Sequence, residues 1–162
     1  MMDNIELERL EALGSKVVGG KQYIVVKLGN EQFGIDIDIV DNIVRMQRIT
    51  RVPKSQNYYK GVINLRGDVV PVMSMRIKMG MEPDEYTNST RIIIAKFENN
   101  AYVGFLVDEV LQIVSIDETA LEKPTFRKNS EIDNYLIGVA KENDSLISVL
   151  DMDILVDEGD NQ

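Results

Sequence analysis

The chain resembles itself. Residues 57–75 read NYYKGVINLRGDVVPVMSM, and residues 134–152 read NYLIGVAKENDSLISVLDM. Without a gap, Asn57 meets Asn134, Tyr58 meets Tyr135, and Gly61-Val62 meets Gly138-Val139. Further on, Val70, Val72 and Met75 meet Ile147, Val149 and Met152. A weaker match upstream sets KLGNEQFGIDI from Lys27 against KFENNAYVGFLV from Lys96, with one residue of slippage. Two copies of one unit fill most of the 162 residues, which limits the fold to two like halves. A half of roughly 65 residues is marginal alone on surface-to-volume grounds. The halves are therefore expected to share a hydrophobic seam, and that seam is where a groove would form.

Each half reads as β. Residues 23–28 are a β-branched-rich run, and Gly29-Asn30 is a hairpin signal before residues 32–35. Residues 62–66 and 69–73 flank Gly67-Asp68, a two-residue turn. In the second half, residues 90–97 and 101–107 flank Glu98-Asn99-Asn100, and strands follow at 110–116, 135–141 and 146–150. Pro71 lies inside its run, which predicts an edge strand or a bulge there. Short helices are expected at 75–79, stopped by Gly80, and at 152–155. Residues 4–13, with Ile5, Leu10 and Leu13, would form a short helix or stay disordered.

Many short strands with few helices predict an all-β chain of two small antiparallel barrels, since closure removes sticky edges. The organisation expected is an N-terminal extension at 1–19, one domain at 20–156 and an acidic tail at 157–162. Within the domain, a first subdomain would run from about residue 20 to 80 and a second from about 88 to 156, with chain ends crossing between them. The acidic, Pro-containing stretch 81–89 is the expected boundary.

Composition narrows the function classes. Histidine and cysteine are both absent, so the usual general base, nucleophile activator and soft metal ligands are missing. No Gly-rich phosphate loop, nucleophile elbow or spaced metal-ligand set is present, and neither an enzyme nor a cofactor is expected. Net charge is −9 and the pI about 4.6, a balance that phosphate backbones would repel. The densest basic stretch, residues 45–51, holds three Arg in seven residues, and a solvated strand edge explains it equally well. No apolar run is long enough to span a bilayer, and the N-terminus opens acidic. The expected location is the cytoplasm.

Where the copies disagree, function has room. Asn64-Leu65-Arg66-Gly67-Asp68 stands where the second copy has Lys141-Glu142-Asn143-Asp144-Ser145, an ordinary polar turn. Leu65 could pack while Arg66 pairs with Asp68, or the two could anchor a protein interface; the residues alone leave both open. The paired glycines Gly61 and Gly138 read as backbone or packing positions. Asp108-Glu109 ends an apolar strand, and adjacent strand residues point to opposite faces, so a strand end turning into solvent is expected instead of an acid–base pair. Met73, Met75, Met79 and Met81 read as core filler near the seam.

The run Gly61-Val62-Ile63-Asn64-Leu65-Arg66-Gly67 resembles the CheW family of bacterial chemotaxis coupling proteins, which carries such an Asn-Leu-Arg-Gly turn before a Val-Pro strand. The resemblance spans about residues 20–156 and includes FGIDIDIV from Phe33, KGVINLRGDVVPV from Lys60, VGFLVDEV from Val103 and YLIGVA from Tyr135. It implies two SH3-like five-stranded β-barrel subdomains on a shared hydrophobic core, with short helices in connections. It also implies binding in place of catalysis: an adaptor coupling methyl-accepting chemoreceptors to the histidine kinase CheA. One surface would engage the CheA regulatory domain, and a groove between barrels would hold the cytoplasmic tip of a chemoreceptor.

The family's receptor-facing positions map onto Val40, Gly61, Arg66, Val110 and Ile113, with Asn42 and Leu65 beside them. Asn42 stands where the family often has Glu, and Ser74 where it commonly has Asp, although Asp151 keeps that Asp in the second copy. A monomer is expected for the isolated chain, recruited to membrane-associated receptor arrays. The alternative is a paralogous CheW-like scaffold for a different receptor or kinase array.

Overall fold

The computed structural model describes residues 20–123 and 131–157. The expected N-terminal extension, its candidate helix at 4–13, and the tail from 158 onward lie outside the described residues.

Ten strands form two five-stranded sheets. In chain order they are β1 (Lys21–Leu28), β2 (Glu31–Asp36), β3 (Val40–Arg45), β4 (Tyr59–Leu65), β5 (Asp68–Ser74), β6 (Arg91–Lys96), β7 (Tyr102–Val107), β8 (Glu109–Ile116), β9 (Leu136–Glu142) and β10 (Ser145–Leu150). Two short helices, α1 (Met75–Lys78) and α2 (Met152–Val156), follow β5 and β10, where the sequence leads one to expect them. β3 adds a tenth strand to the nine legible in the sequence. Its apolar run is broken by Asp41 and Asn42, and the register with β6 skips a residue there, a bulge that hides the alternation.

The sheets run β8-β1-β2-β10-β9 and β3-β6-β7-β5-β4. Under the internal repeat, β1 to β5 correspond to β6 to β10, and the two orders become the same order. The first sheet joins the β1–β2 hairpin of the first copy to β8, β9 and β10 of the second. The other joins β6–β7 of the second copy to β3, β4 and β5 of the first. Each copy has thus exchanged its leading hairpin with the other. This nesting places no boundary between the sheets at 81–89: the second sheet is one continuous stretch, β3 to β7, set inside a first sheet built from both ends of the described chain. The exchange corrects the purely antiparallel expectation. Each exchanged hairpin meets its host through one parallel pair, β2 with β10 (Gly34 opposite Val149) and β7 with β5 (Gly104 opposite Val72).

The exchange explains the uninterrupted apolar runs. Along β1, Tyr23 and Val25 enter a cluster private to the first sheet, with Val114, Ile147 and Val149. Ile24, Val26 and Leu28 point the other way into a core shared by both sheets. Along β6, Ile92 and Ile94 enter the second sheet's private cluster with Val44, Ile63 and Val72, while Ile93 and Ala95 face the shared core. Period-2 alternation therefore survives with both faces buried. Phe33 and Phe105, one from each sheet, are fully buried in the shared core, as are Met73, Met75 and Met79. The methionines are core filler, as their sequence setting implies.

Pro71 sits on β5, an inner strand with neighbours on both sides. Neither the edge nor a bulge at Pro71 itself is found. Pairing with β7 begins only at Val72, so the missing N–H falls outside the parallel ladder.

The repeated glycines have one job in two places. Thr50 bridges to Val62 by two backbone hydrogen bonds of 2.8 Å, and Glu122 bridges to Val139 by bonds of 3.0 and 2.7 Å. At Gly61, held at φ +141°, a Cβ would lie 2.2 Å from the Thr50 carbonyl oxygen; at Gly138 it would lie 2.9 Å from Leu121 Cβ. The family's missing Asp at Ser74 is also accounted for locally. Ser74 Oγ accepts from Ile77 N–H at 3.1 Å and Asp151 Oδ1 from Ile154 N–H at 3.2 Å, so each copy caps its own short helix.

Asp108 departs from the expected solvent-facing strand end. Its carboxylate accepts from Arg76 Nε at 3.0 Å and from Gly29 N–H at 2.8 Å, and also pairs with the second guanidinium nitrogen of Arg76. As the single residue between β7 and β8, it marks where the chain leaves one sheet for the other. The pair ties α1, beside the second sheet, to the β1–β2 turn of the first. Hydrogen bonding to Asp108 raises the Arg76 pKa above its ordinary value.

Two outcomes follow from a core held in common. Phe105→Ala is expected to cost about 3–5 kcal/mol and to lower one transition for the whole molecule. Urea unfolding followed by tyrosine fluorescence and by far-ultraviolet circular dichroism would coincide; separated curves would mean that the sheets unfold independently. Gly61→Ala is expected to cost more than about 2 kcal/mol, because both its φ and its space are wrong for a side chain. Gly67→Ala, at φ +87° with nothing within 4 Å of the added Cβ, should cost only about 1 kcal/mol.

Candidate partner-binding surfaces

The seven residues singled out by the resemblance do not form one surface. Val40 and Val110 come nearest to a matched pair. β3 and β8 are the edge strands of the two sheets and are counterparts under the repeat. Ile43 faces Ile93 as Ile113 faces Ile24, and Val40 faces Ala95 as Val110 faces Val26. The registers skip Asp41 on one strand and Leu111 on the other, so the same bulge recurs. Both valines are half-buried against the shared core, which makes them its rim.

Ile113, at 2% exposure, belongs to that core, and Asn42, at 1%, is buried with its side-chain oxygen accepting from Ile43 N–H at 2.9 Å. Gly61 is covered by the Thr50 bridge. These three shape the strands and offer no side chain to a partner.

Leu65 and Arg66 lie at the β4–β5 tip. Leu65 pairs with Asp68 across the hairpin, so the two turn residues are Arg66 and Gly67, one position earlier than the sequence suggests. Both have positive φ, +53° and +87°, as a primed hairpin turn requires. The second copy places Asn143 and Asp144 in the same geometry, at +47° and +68°. Asn and Asp tolerate that region; an arginine there is strained by roughly 1 kcal/mol. Leu65 packs on the private cluster of the second sheet. Arg66 is exposed and forms no ion pair with Asp68 or with any other described residue. Of the two accounts of this tip, packing holds for Leu65 and the local pair fails for Arg66.

Beside Val40 runs a cleft of about 490 Å³ with Ile39, Val40 and Phe97 as apolar floor. Asp36, Asp38, Asp41, Glu98 and Asp153 line it, with Lys96 the one cation among its described residues. Asp36 is engaged twice: it pairs with Lys21 at 2.8 Å, raising the Lys21 pKa, and accepts from Asp38 N–H at 2.9 Å. The sequence resemblance does not flag this acidic rim, since its members come from three separate segments. Extending the repeat to β3 and β8 would have paired Val40 with Val110 without any structure.

Among the described residues, no group of three or more acidic side chains is placed to hold a metal ion, and no helix is long and apolar enough to cross a membrane. Residues 22–160 match the family model of the CheW-like domain. The chain is 31% identical over 153 residues to the chemotaxis protein CheW of Helicobacter pylori, covering 93% of this chain and 92% of that one. It is 33% identical over 136 residues to the chemotaxis protein CheW of Thermotoga maritima, covering 82% and 85%. Among solved structures it is similar to the scaffolding protein TtCheW of Thermoanaerobacter tengcongensis, with a TM-score of 0.76 and 29% identity over 85% of this chain and 88% of that one. Paired five-stranded SH3-like barrels on one core, and this match along nearly the whole sequence, make the chain a member of the CheW-like domain family, the family of chemotaxis scaffold and adaptor proteins.

Proposed function

We propose that this chain couples chemoreceptors to the histidine kinase CheA by binding both, acting as an adaptor and not as an enzyme. The observation that carries this reading is the repeated rim: Val40 and Val110 hold matching positions on two edge strands, each half-buried against the core common to both sheets. A receptor's helical hairpin tip laid along that rim would gain apolar area from both valines. Arg66, held at a strained φ with no partner among the described residues, supplies a charge that orients it. Leu65 sets the height of that tip, and Asn42, Gly61 and Ile113 act from beneath by fixing strand shape. The acidic cleft beside Val40 favours a receptor face carrying Lys or Arg and disfavours an acidic one. That cleft does, from neighbouring positions, what a carboxylate at Asn42 would do.

The kinase arm is the regulatory domain of CheA, on a surface apart from this rim. Holding two partners at once raises each one's effective concentration for the other, and no chemistry of the adaptor's own is required. The chain works in the cytoplasm at membrane-associated receptor arrays and is a monomer when isolated. The names of its relatives, chemotaxis and scaffolding proteins, support the adaptor role.

Binding of the purified chain to the CheA regulatory domain and to a receptor-tip hairpin, separately and together, tests the reading. Both should bind at once, with Arg66→Glu weakening only the receptor arm by about tenfold or more. Equal loss in both arms would remove Arg66 from a receptor-specific role. Binding to neither would overturn the coupling role and leave a scaffold for a different array.

A further inference from the structure

We infer that the chain carries a separate docking face for an acidic peptide segment of a partner protein, built from the β3–β4 connection. Six of the chain's 18 Lys and Arg, and none of its 27 Asp and Glu, fall within residues 42–67. The rest of the chain therefore carries twelve cations against 27 carboxylates. None of the six (Arg45, Arg48, Arg51, Lys54, Lys60 and Arg66) forms an ion pair among the described residues. A solvated strand edge, the expectation for residues 45–51, would scatter such charges along β3. Most of the stretch instead leaves β3 and wraps a concavity.

Two clefts meet at Met46. The larger, about 670 Å³, takes its cations from Arg51, Lys54 and Lys60. Ile49, Val52 and Pro53 give it apolar surface, and Tyr59 and Tyr86 give it aromatic rings. The smaller, about 340 Å³, lies where Arg45 faces Arg91 directly across the β3–β6 ladder. Neither has a carboxylate among its described lining residues. Like charges directly opposite on paired strands are destabilising, and Arg91 is held in place by bonds of 2.8 Å from its Nη1 to the carbonyls of Asn88 and Thr90. The connection is preformed. The Thr50–Val62 bridge pins one end, Ser55 Oγ donates to the Val52 carbonyl at 2.9 Å, and Lys54 is fixed at φ +65°.

Such a site suits a short segment that sets Asp or Glu around one or two apolar side chains. The cations meet the carboxylates, and the apolar floor rewards a Leu or Phe anchor. A nucleic acid is the weaker fit. Its charges continue every few ångströms beyond the cleft, where the remaining acidic surface repels it within a Debye length of about 8–10 Å. Exposed Val52 and Tyr86, at 45% and 51%, leave the apolar part of the cleft open to a partner. The cleft cations Arg51, Lys54 and Lys60, unlike Arg66, play no part at the Val40–Val110 rim, so this face stands whether or not that rim holds a receptor.

Fluorescence anisotropy on the full chain tests it with three probes: a labelled acidic dodecapeptide containing Leu and Phe, the same peptide with both replaced by Ser, and a dodecamer of thymidylate. The first should bind saturably and more weakly as salt rises, and the second about tenfold more weakly. The variant R51E/K54E/K60E should lose binding by about tenfold or more. K123E/K141E, which reverses two lysines of a cleft on the first sheet that also contains acids, should bind as wild type. Should the Glu variant melt early, R51Q/K54Q/K60Q answers the same question at lower electrostatic cost. Unchanged affinity in a folded triple variant overturns the site. Thymidylate binding as tightly as the Leu/Phe peptide, or a Ser peptide indistinguishable from it, overturns the peptide assignment in favour of a general polyanion surface.

Discussion

A strand with apolar side chains on both faces has to be covered twice, and in this molecule neither repeat can supply both covers for its own leading hairpin. β1 and β6 each send alternate residues into a private cluster and into the shared core, and Phe33 and Phe105 fill that core from opposite sheets. At about 25 cal/mol per Å² of apolar area removed from water, this double burial outweighs anything the exposed polar groups contribute. The Thr50 and Glu122 bridges, the two helix caps and the Arg76–Asp108 pair fix geometry within a frame that burial has already chosen.

The sequence was generous about elements and silent about their partners. Nine strands and both short helices are legible in the sequence, most of them from local signals such as β-branched runs, Gly29-Asn30, Gly67 and the stop at Gly80. β3 escaped because a bulge at Asp41 breaks the period on which recognition depends. A crossing of chain ends was foreseen, but the strands that the hairpins exchange were not, for a different reason. Pairing β2 with β10 instead of β5 is decided by long-range packing, and a repeat makes the two partners alike by construction, so no local signal separates them. Asp108 was misjudged in the same way. Its acid at a strand end looks solvent-bound until a guanidinium from a helix 32 residues back in sequence arrives beside it.

For the candidate surfaces, the useful signal lay in departures from the repeat. Arg66 occupies a left-handed turn position where the second copy has Asn143, and the structure leaves it exposed and unpaired among the described residues. Asn42, Gly61 and Ile113 are receptor-facing positions by resemblance but are buried, Asn42 bonded to its own strand, Gly61 under the Thr50 bridge and Ile113 in the shared core. Charge shows the sharpest division. Carboxylates gather beside Val40 while the β3–β4 connection is cationic and free of them, so one small domain presents two faces of opposite sign.

The nesting of the second sheet within the first also bears on how the chain is made. β3 to β7 leave the ribosome as a continuous run and can close on one another as they emerge. β1 and β2 come first, yet their hosts β8, β9 and β10 come last, more than seventy residues later. At ordinary synthesis rates that gap lasts on the order of several seconds or more. Throughout it, Tyr23, Val25 and Ile24 have no native cover on either face from the strands still to be made. The earliest-made of the described strands are thus among the last to be completed. The interval in which they wait is when this protein is most open to pairing with the wrong edge, including that of a neighbouring copy.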